Sequence, residues 1–149
     1  MAITENTEIT EAITDAEWAV MRIVWTLGEA DSHTIIDLVS QQHDWKAATI
    51  KTLIGRLVKK GALATTKNGR QFIYTPLIPE QTAMDTALTS QLDQMCAMCR
   101  GQAFVNAIDQ TELSQTDIQE LITHLQEKLT TAPTTITCDC LPEGYEGSC

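Results

Sequence analysis

A mainly α-helical chain with one small β-hairpin is the fold class this sequence predicts. Three observations point to it. Three successive apolar strings repeat at helical spacing between recognisable start and stop residues; an Asn-Gly step then separates two short β-prone runs; and the long stretches that follow are amphipathic, with no further strand pattern. A hydrophobic fraction of 43% in 149 residues supports a folded core of ordinary size. No apolar run approaches the roughly eighteen residues that a membrane span needs.

The first helix reads from TDAEWAVMRIVWTLG. Thr14 is placed to accept from the Glu17 amide while the Glu17 side chain reaches back, which makes a capping box. Trp18, Met21, Ile23, Val24, Trp25 and Leu27 form its apolar face, and Gly28 suits the stop. Asp31 or Ser32 caps a second helix, through Gln42, that points Ile35, Ile36, Leu38 and Val39 inward. A third helix spans Ala47 to Lys60 and divides by face: Ile50, Leu53, Ile54, Leu57 and Val58 belong to the core, whereas Thr49, Thr52, Arg56 and Lys59 do not. Gly61 ends it. ALATTKNGRQFIYTPL then reads as two strands around Lys67-Asn68-Gly69-Arg70, because Asn-Gly is a strong hairpin signal. Three helices followed by a hairpin make a winged helix-turn-helix over residues 14–79, after a polar, acidic lead-in at 1–13.

Beyond Pro79 the pattern changes. Residues 80–108 are helical in spacing, with Met84, Leu88, Leu92, Met95 and Met98 on one stripe. Ser114 opens a further helix whose Ile118, Leu121, Ile122, Leu125 and Leu129 form a narrow seam. Helices of this kind bury such stripes against each other or against a second copy of the chain, so residues 80–130 read as a helical dimerisation region. Residues 131–149 lack periodicity and read as a flexible tail.

The net charge of −10 argues against nucleic acid until its distribution is considered. Between Trp45 and Pro79 lie seven basic residues, Lys46, Lys51, Arg56, Lys59, Lys60, Lys67 and Arg70, and no acidic one. From Glu80 onward eleven acidic residues face two basic ones, Arg100 and Lys128. A phosphate backbone meets the local charge and not the average. Cysteines are segregated as well: all five lie in the last third, as Cys96 and Cys99 in CAMC and Cys138, Cys140 and Cys149 in the tail. Thiolates are soft ligands suited to Cu(I) and Zn(II). An odd number of them fits poorly with a closed set of intrachain disulfides. The N-terminal MAITENTEITEA has no basic or apolar stretch of signal-peptide type, so a reducing, cytoplasmic location is expected.

The order DAEW, then T-x-K-T-L-x-x-R-L-x-x-K-G, then G-R-x-F-x-Y-x-P resembles the BlaI/MecI family of winged-helix repressors over about residues 14–79. The helical continuation to residue 130 looks like that family's dimerisation region, and the cysteine-bearing tail looks like its copper-responsive CopY-type branch. Two departures follow. The β-lactam branch is cleaved at an Asn-Phe bond, but here Phe104 follows Ala103. The copper branch carries two C-x-C pairs, but here Cys138-x-Cys140 is followed only by Cys149, one thiol short. Lys46 also stands where the family often has a small capping residue.

The resemblance implies a dimeric, copper-responsive repressor without catalytic activity. Zinc-loaded protein would hold a palindromic operator of the TACA…TGTA type upstream of copper-transport genes, and Cu(I) would displace zinc and release it. In such a fold the third helix enters the major groove. Thr49 and Thr52 are then base or phosphate contacts, Arg56 reaches phosphate or guanine, and Lys46, Lys51 and Lys59 meet phosphates. Lys67 and Arg70 reach the adjacent backbone or minor groove from the wing. The expected metal ligands are Cys138, Cys140 and Cys149, with Cu(I) and Zn(II) as the ions; zinc would need a fourth donor from Asp139, Glu143, the terminal carboxylate or another thiolate. Partners expected are a double-stranded DNA operator, a second copy of the chain and, optionally, a copper chaperone, with no membrane.

For Cys96 and Cys99, neighbours three apart on a helix, packing in the core or dimer interface is preferred over a second thiolate site or a redox pair. A response to zinc, cadmium, silver or thiol oxidation is the alternative within this fold. A thiol oxidoreductase or a copper buffer is the alternative outside it. The oxidoreductase is disfavoured because redox C-x-x-C pairs sit at a helix N-terminus, whereas CAMC lies within a helical pattern.

Overall fold

In the computed structural model, residues 12–147 are described. The chain divides into two compact units, one ending at Ala87 and the other starting at Leu88. In the first, α1 (Asp15–Leu27), α2 (Ser32–Gln42) and α3 (Ala47–Lys60) precede a three-stranded antiparallel sheet of β1 (Ala30–Asp31), β2 (Leu63–Asn68) and β3 (Gln71–Pro76). The strand order is β1-β3-β2, so the hairpin carries a short third strand along its inner edge. α4 (Glu80–Asp93) begins in this unit and ends in the next, which also holds α5 (Arg100–Gln110) and α6 (Gln115–Leu129).

The winged helix-turn-helix expected from the sequence is present. Its core gathers Val20, Met21 and Val24 from α1, Ile35 and Val39 from α2, and Ile50, Leu53, Ile54 and Leu57 from α3, with Leu63 and Ile78 closing it. Trp18, Trp25 and Trp45 are half-buried around it, and the Trp25 indole N–H donates to the Ile78 carbonyl at 2.8 Å. That bond satisfies the one polar atom of an otherwise apolar ring. Leu27 departs from the expected face: it is 49% exposed in the last turn of α1, just before Gly28 turns the chain away.

The helix boundaries are set by identifiable caps. Asp31 caps α2 by accepting from the Thr34 amide at 2.7 Å. Gly61 takes the left-handed conformation that ends α3 (φ 83°), where its lack of a Cβ avoids strain. At α1 the expected box forms only in part. Thr14 accepts from the Glu17 amide at 3.3 Å, but the Glu17 carboxylate turns to Lys60 instead, accepting at 2.6 and 2.7 Å. Glu17 is 1% exposed, and a charge that deeply placed needs a cation more than a cap needs a partner. The Lys60 ammonium also donates to the Ala12 carbonyl at 2.9 Å, so the end of α3 is tied to the start of α1.

The hairpin differs from expectation by one residue. β2 extends through Asn68, paired with Gln71, so the two-residue turn is Gly69-Arg70 and not Asn-Gly. Only Gly69 has positive φ (65°), the sign pattern of a type II′ turn, in which glycine takes the first central position.

The helix expected over 80–108 is interrupted. Residues 94–99 form a turn between α4 and α5, stabilised by Arg100, whose Nε donates to the Leu92 carbonyl at 2.7 Å and covers the exposed end of α4. α5 and α6 have no buried residues; Phe104, Val105 and Ile108 on one and Ile118, Leu121, Ile122 and Leu125 on the other are exposed. Ser114 opens α6 with a full capping box to Asp117. No described helix is long and apolar enough to cross a membrane.

The Glu17–Lys60 pair yields a stability prediction. Lys60→Met leaves a buried carboxylate unpartnered and should destabilise the chain by about 3–5 kcal/mol in urea unfolding. Adding Glu17→Leu should recover most of that loss. A double variant no more stable than the single would show that the loss does not come from the stranded charge.

Candidate functional site

α3 and the hairpin form one charged surface. The buried positions of α3 lie along one side, which leaves Thr49, Lys51, Thr52, Arg56 and Lys59 exposed. Thr52 donates its hydroxyl to the Ala48 carbonyl at 3.0 Å, a bond that fixes the rotamer and leaves the oxygen lone pairs outward. Lys46 is the N-cap residue and makes no side-chain capping bond, as its chemistry dictates. Its ammonium adds positive charge where the first amides of α3 already point outward. Lys67 and Arg70 are exposed at the wing tip, Arg70 within the turn itself. Of the seven basic residues in this stretch, Lys60 alone is withdrawn into the ion pair with Glu17. The remaining six are exposed, and no acidic side chain between Trp45 and Pro79 offsets them.

A second cluster lies in the unit that starts at Leu88. The sulfurs of Cys96, Cys138 and Cys140 lie within 4.8 Å of one another. Cys96 Sγ stands 3.7 Å from Cys138 Sγ. Four sulfurs at about 2.3 Å around a tetrahedral zinc stand about 3.8 Å apart, so that spacing suits a shared ion. Cys99 stands three residues on from Cys96, at the start of α5. Cys149, expected as a tail ligand, lies outside the described residues.

The tail reaches this turn through Asp139. Its Oδ1 accepts from the Ala97 amide at 2.9 Å, and Oδ2 lies 3.7 Å from the Arg100 guanidinium. These contacts hold Cys138 and Cys140, on either side, against the CAMC turn. Asp139, considered from sequence as a zinc donor, is thus occupied as an anchor. Among the described residues the aperiodic tail forms no helix or strand, yet at 138–140 it is docked.

The electrostatics single out one thiol. Burial pushes the Cys96 thiol up, but hydrogen bonds from the Cys140 thiol, the Met98 amide, and the Cys99 thiol and amide outweigh it and hold its pKa below the usual value. Hydrogen bonding to Cys96 raises Cys99, and the same cause raises Cys140. The group therefore releases its first proton at Cys96. Cys138 is disulfide-bonded in the structure and offers a thiolate only after reduction.

Two expectations about CAMC are corrected here. The pair does not lie on a continuous helix; it occupies the turn, with Cys99 as N-cap of α5. Nor is it packed into a core, since Cys99 is exposed and Cys96 is half-buried against the tail. Its position before a helix N-terminus removes the sequence argument against redox chemistry, although the preceding element is a helix and not a strand. Sequence reading placed Cys96 outside the expected ligand set; the confinement of all thiols to the last third was the signal that joined the two pairs.

Residues 13–137 match the family described as penicillinase repressor. The chain belongs to the penicillinase repressor family. Among curated relatives it is 53% identical to an "Uncharacterized 16.5 kDa protein in ptsI 3'region" of Latilactobacillus sakei, across 91% of this chain and 92% of that one. The penicillinase repressor of Bacillus licheniformis is 34% identical across 77% of this chain and 90% of its own length. A solved structure titled "CopR Repressor Structure" is 48% identical, covering 46% of this chain and 99% of that one, with a TM-score of 0.40. The named relatives of this family carry regulatory names, penicillinase repressor and methicillin resistance regulatory protein MecI.

The Asp139 anchor has a defined pH dependence. The Ala97 amide, opposed by slight burial and assisted by Arg100, holds its carboxyl below the ordinary range. Such a group contributes fully above the unfolded value of about 3.9 and loses its contribution as pH falls through the lower folded value. Limited proteolysis of residues 131–147 should therefore be unchanged from pH 8 to 5, whereas Asp139→Ala should accelerate it at neutral pH. Equal rates for variant and parent would show that Asp139 does not hold the tail.

Proposed function

We propose that this member of the penicillinase repressor family is a cytoplasmic, homodimeric repressor whose grip on a palindromic operator is released by Cu(I). The observation that carries this reading is the meeting of Cys96, Cys138 and Cys140 within 4.8 Å in a chain that also presents six exposed cations on α3 and the hairpin. One cluster suits a soft metal and the other suits a phosphate backbone.

In this reading α3 lies in the major groove, with Thr49 and Thr52 against bases or phosphates and Arg56 against phosphate or guanine. Lys46, Lys51 and Lys59 neutralise phosphates along the groove, and Lys67 and Arg70 do so from the wing. A solved structure of the Bacillus licheniformis BlaI monomer with a half-operator is an instance of DNA binding within the family. The second copy supplies the other half-site, and the exposed apolar faces of α5 and α6 are what it would cover.

Induction by cleavage of an Asn-Phe bond is not open to this chain, because Ala103 precedes Phe104 on α5. Thiolates are the remaining chemistry that distinguishes a signal. Cu(I) is satisfied by two or three thiolates, which Cys138 and Cys140 with Cys96 or Cys149 provide. To release DNA, the ion must bind the DNA-free state more tightly; a coupling of about 1–3 kcal/mol gives release of up to a hundredfold or so. The disulfide at Cys138 favours a response to thiol oxidation as the second reading.

The test is a titration of reduced protein on a palindromic duplex. Cu(I) should weaken binding at least tenfold for the parent chain and leave Cys138→Ser/Cys140→Ser bound. Lys67→Ala/Arg70→Ala should bind more weakly throughout and flatten the salt dependence by about 0.9 for each phosphate no longer neutralised. Equal release of parent and cysteine variant by Cu(I) would refute the tail as sensor. Release by a disulfide-forming oxidant alone would favour the second reading.

A further inference from the structure

The tail is one thiol short of the four that a closed zinc site needs, and the structure brings the CAMC turn against it. We propose that Cys96 and Cys99 of the α4–α5 turn complete a four-thiolate zinc site with Cys138 and Cys140 of the same chain, and that Cys149 is not a ligand. This deepens the metal-responsive reading and rests on it for its biological role, but the site is argued from its own geometry.

Three features support it. The sulfurs of Cys96, Cys138 and Cys140 converge within 4.8 Å, and Cys99 stands at the other end of the same turn as N-cap of α5. The turn itself is tight: the Cys99 amide donates to the Cys96 carbonyl at 3.0 Å. Asp139 then positions the tail half of the site, since its bond to the Ala97 amide lies between the two cysteine pairs in both segments. A tail that merely carried reducible thiols has no need of an aspartate that addresses the middle of the C-x-x-C turn.

The chemistry balances simply. Two equivalents of a small thiol reduce the Cys138 disulfide and leave as their own disulfide. Four thiols then bind one Zn(II) and release four protons, giving a site of net charge −2. Arg100, the residue after Cys99 and the salt-bridge partner of Asp139, is the cation placed beside it. Zinc is favoured as the resting ion because four thiolates match its tetrahedral habit, whereas Cu(I) is content with fewer. Binding of the ion ties residues 138–140 to the turn that joins α4 to α5, so its state is felt within the helical region and not only in the tail.

The experiment uses the full chain, reduced with a phosphine under anaerobic conditions. Zinc affinity is measured by competition with a chromophoric chelator, and sulfur neighbours are counted by zinc X-ray absorption. The parent should bind one zinc per chain with four sulfurs. Cys96→Ser and Cys99→Ser should each lose one sulfur and at least tenfold in affinity, whereas Cys149→Ser should match the parent. Cys99 is exposed, so its replacement leaves packing intact; unchanged far-ultraviolet circular dichroism would verify that. Parent-like affinity and sulfur count in Cys96→Ser/Cys99→Ser, or a sulfur lost in Cys149→Ser, would overturn the proposal. The operator titration separates the two claims. Four sulfurs with no release by Cu(I) leaves this site standing and defeats the copper reading; release by Cu(I) with CAMC dispensable for zinc does the reverse.

Discussion

What the chain can present to a partner depends on α3 being buried along one side only. Ile50, Leu53, Ile54 and Leu57 are removed from water against α1 and α2, and each contributes about 1.5–3 kcal/mol of burial. That commitment fixes the helix's rotation, so Thr49, Thr52 and Arg56 have no choice but the solvent side. The Glu17–Lys60 pair pins the last turn, and Gly61 ends it, so that β2 starts directly beyond at Leu63. Helix rotation and wing position therefore share one origin. The same pair removes one cation from the surface, an example of a basic residue that belongs to the core although its neighbours in sequence do not.

The parts of this arrangement that are local in sequence are the parts that could be read from it. The division of α3 by face follows from spacing within fourteen residues, and the structure repeats it with Ala47–Lys60 as the helix. Asn68-Gly69 signalled the hairpin correctly, but the tertiary register moved the turn to Gly69-Arg70, because only one position with positive φ was needed. Interactions between distant residues were not legible. Glu17 looked like a capping residue because its partner lies 43 residues away. The break after α4 was hidden because the stripe of Met84, Leu88, Leu92, Met95 and Met98 runs on across it. At that end the Arg100 side chain folds back onto the Leu92 carbonyl from eight residues ahead.

The thiols illustrate the same limit with more consequence for function. Read linearly, CAMC is an apolar stretch with sulfur in it, and the tail holds an incomplete ligand set. Folded, the segments 42 residues apart are joined by a sulfur contact and by Asp139 on the Ala97 amide. A soft-metal site assembled this way would report on whether two parts of the chain are together. A site wholly within the tail would report only on metal.

If metal holds the tail to the α4–α5 turn, the Ala97 amide is the atom that reports it most directly. Its hydrogen exchange should be followed by nuclear magnetic resonance in reduced protein, with zinc and after zinc is chelated. Strong protection is expected with zinc, weakened on chelation when Asp139 is left to hold the tail alone, with no change at Ile54 or Leu57 in α3. Exchange at Ala97 that ignores the metal would show that the tail is held by something else.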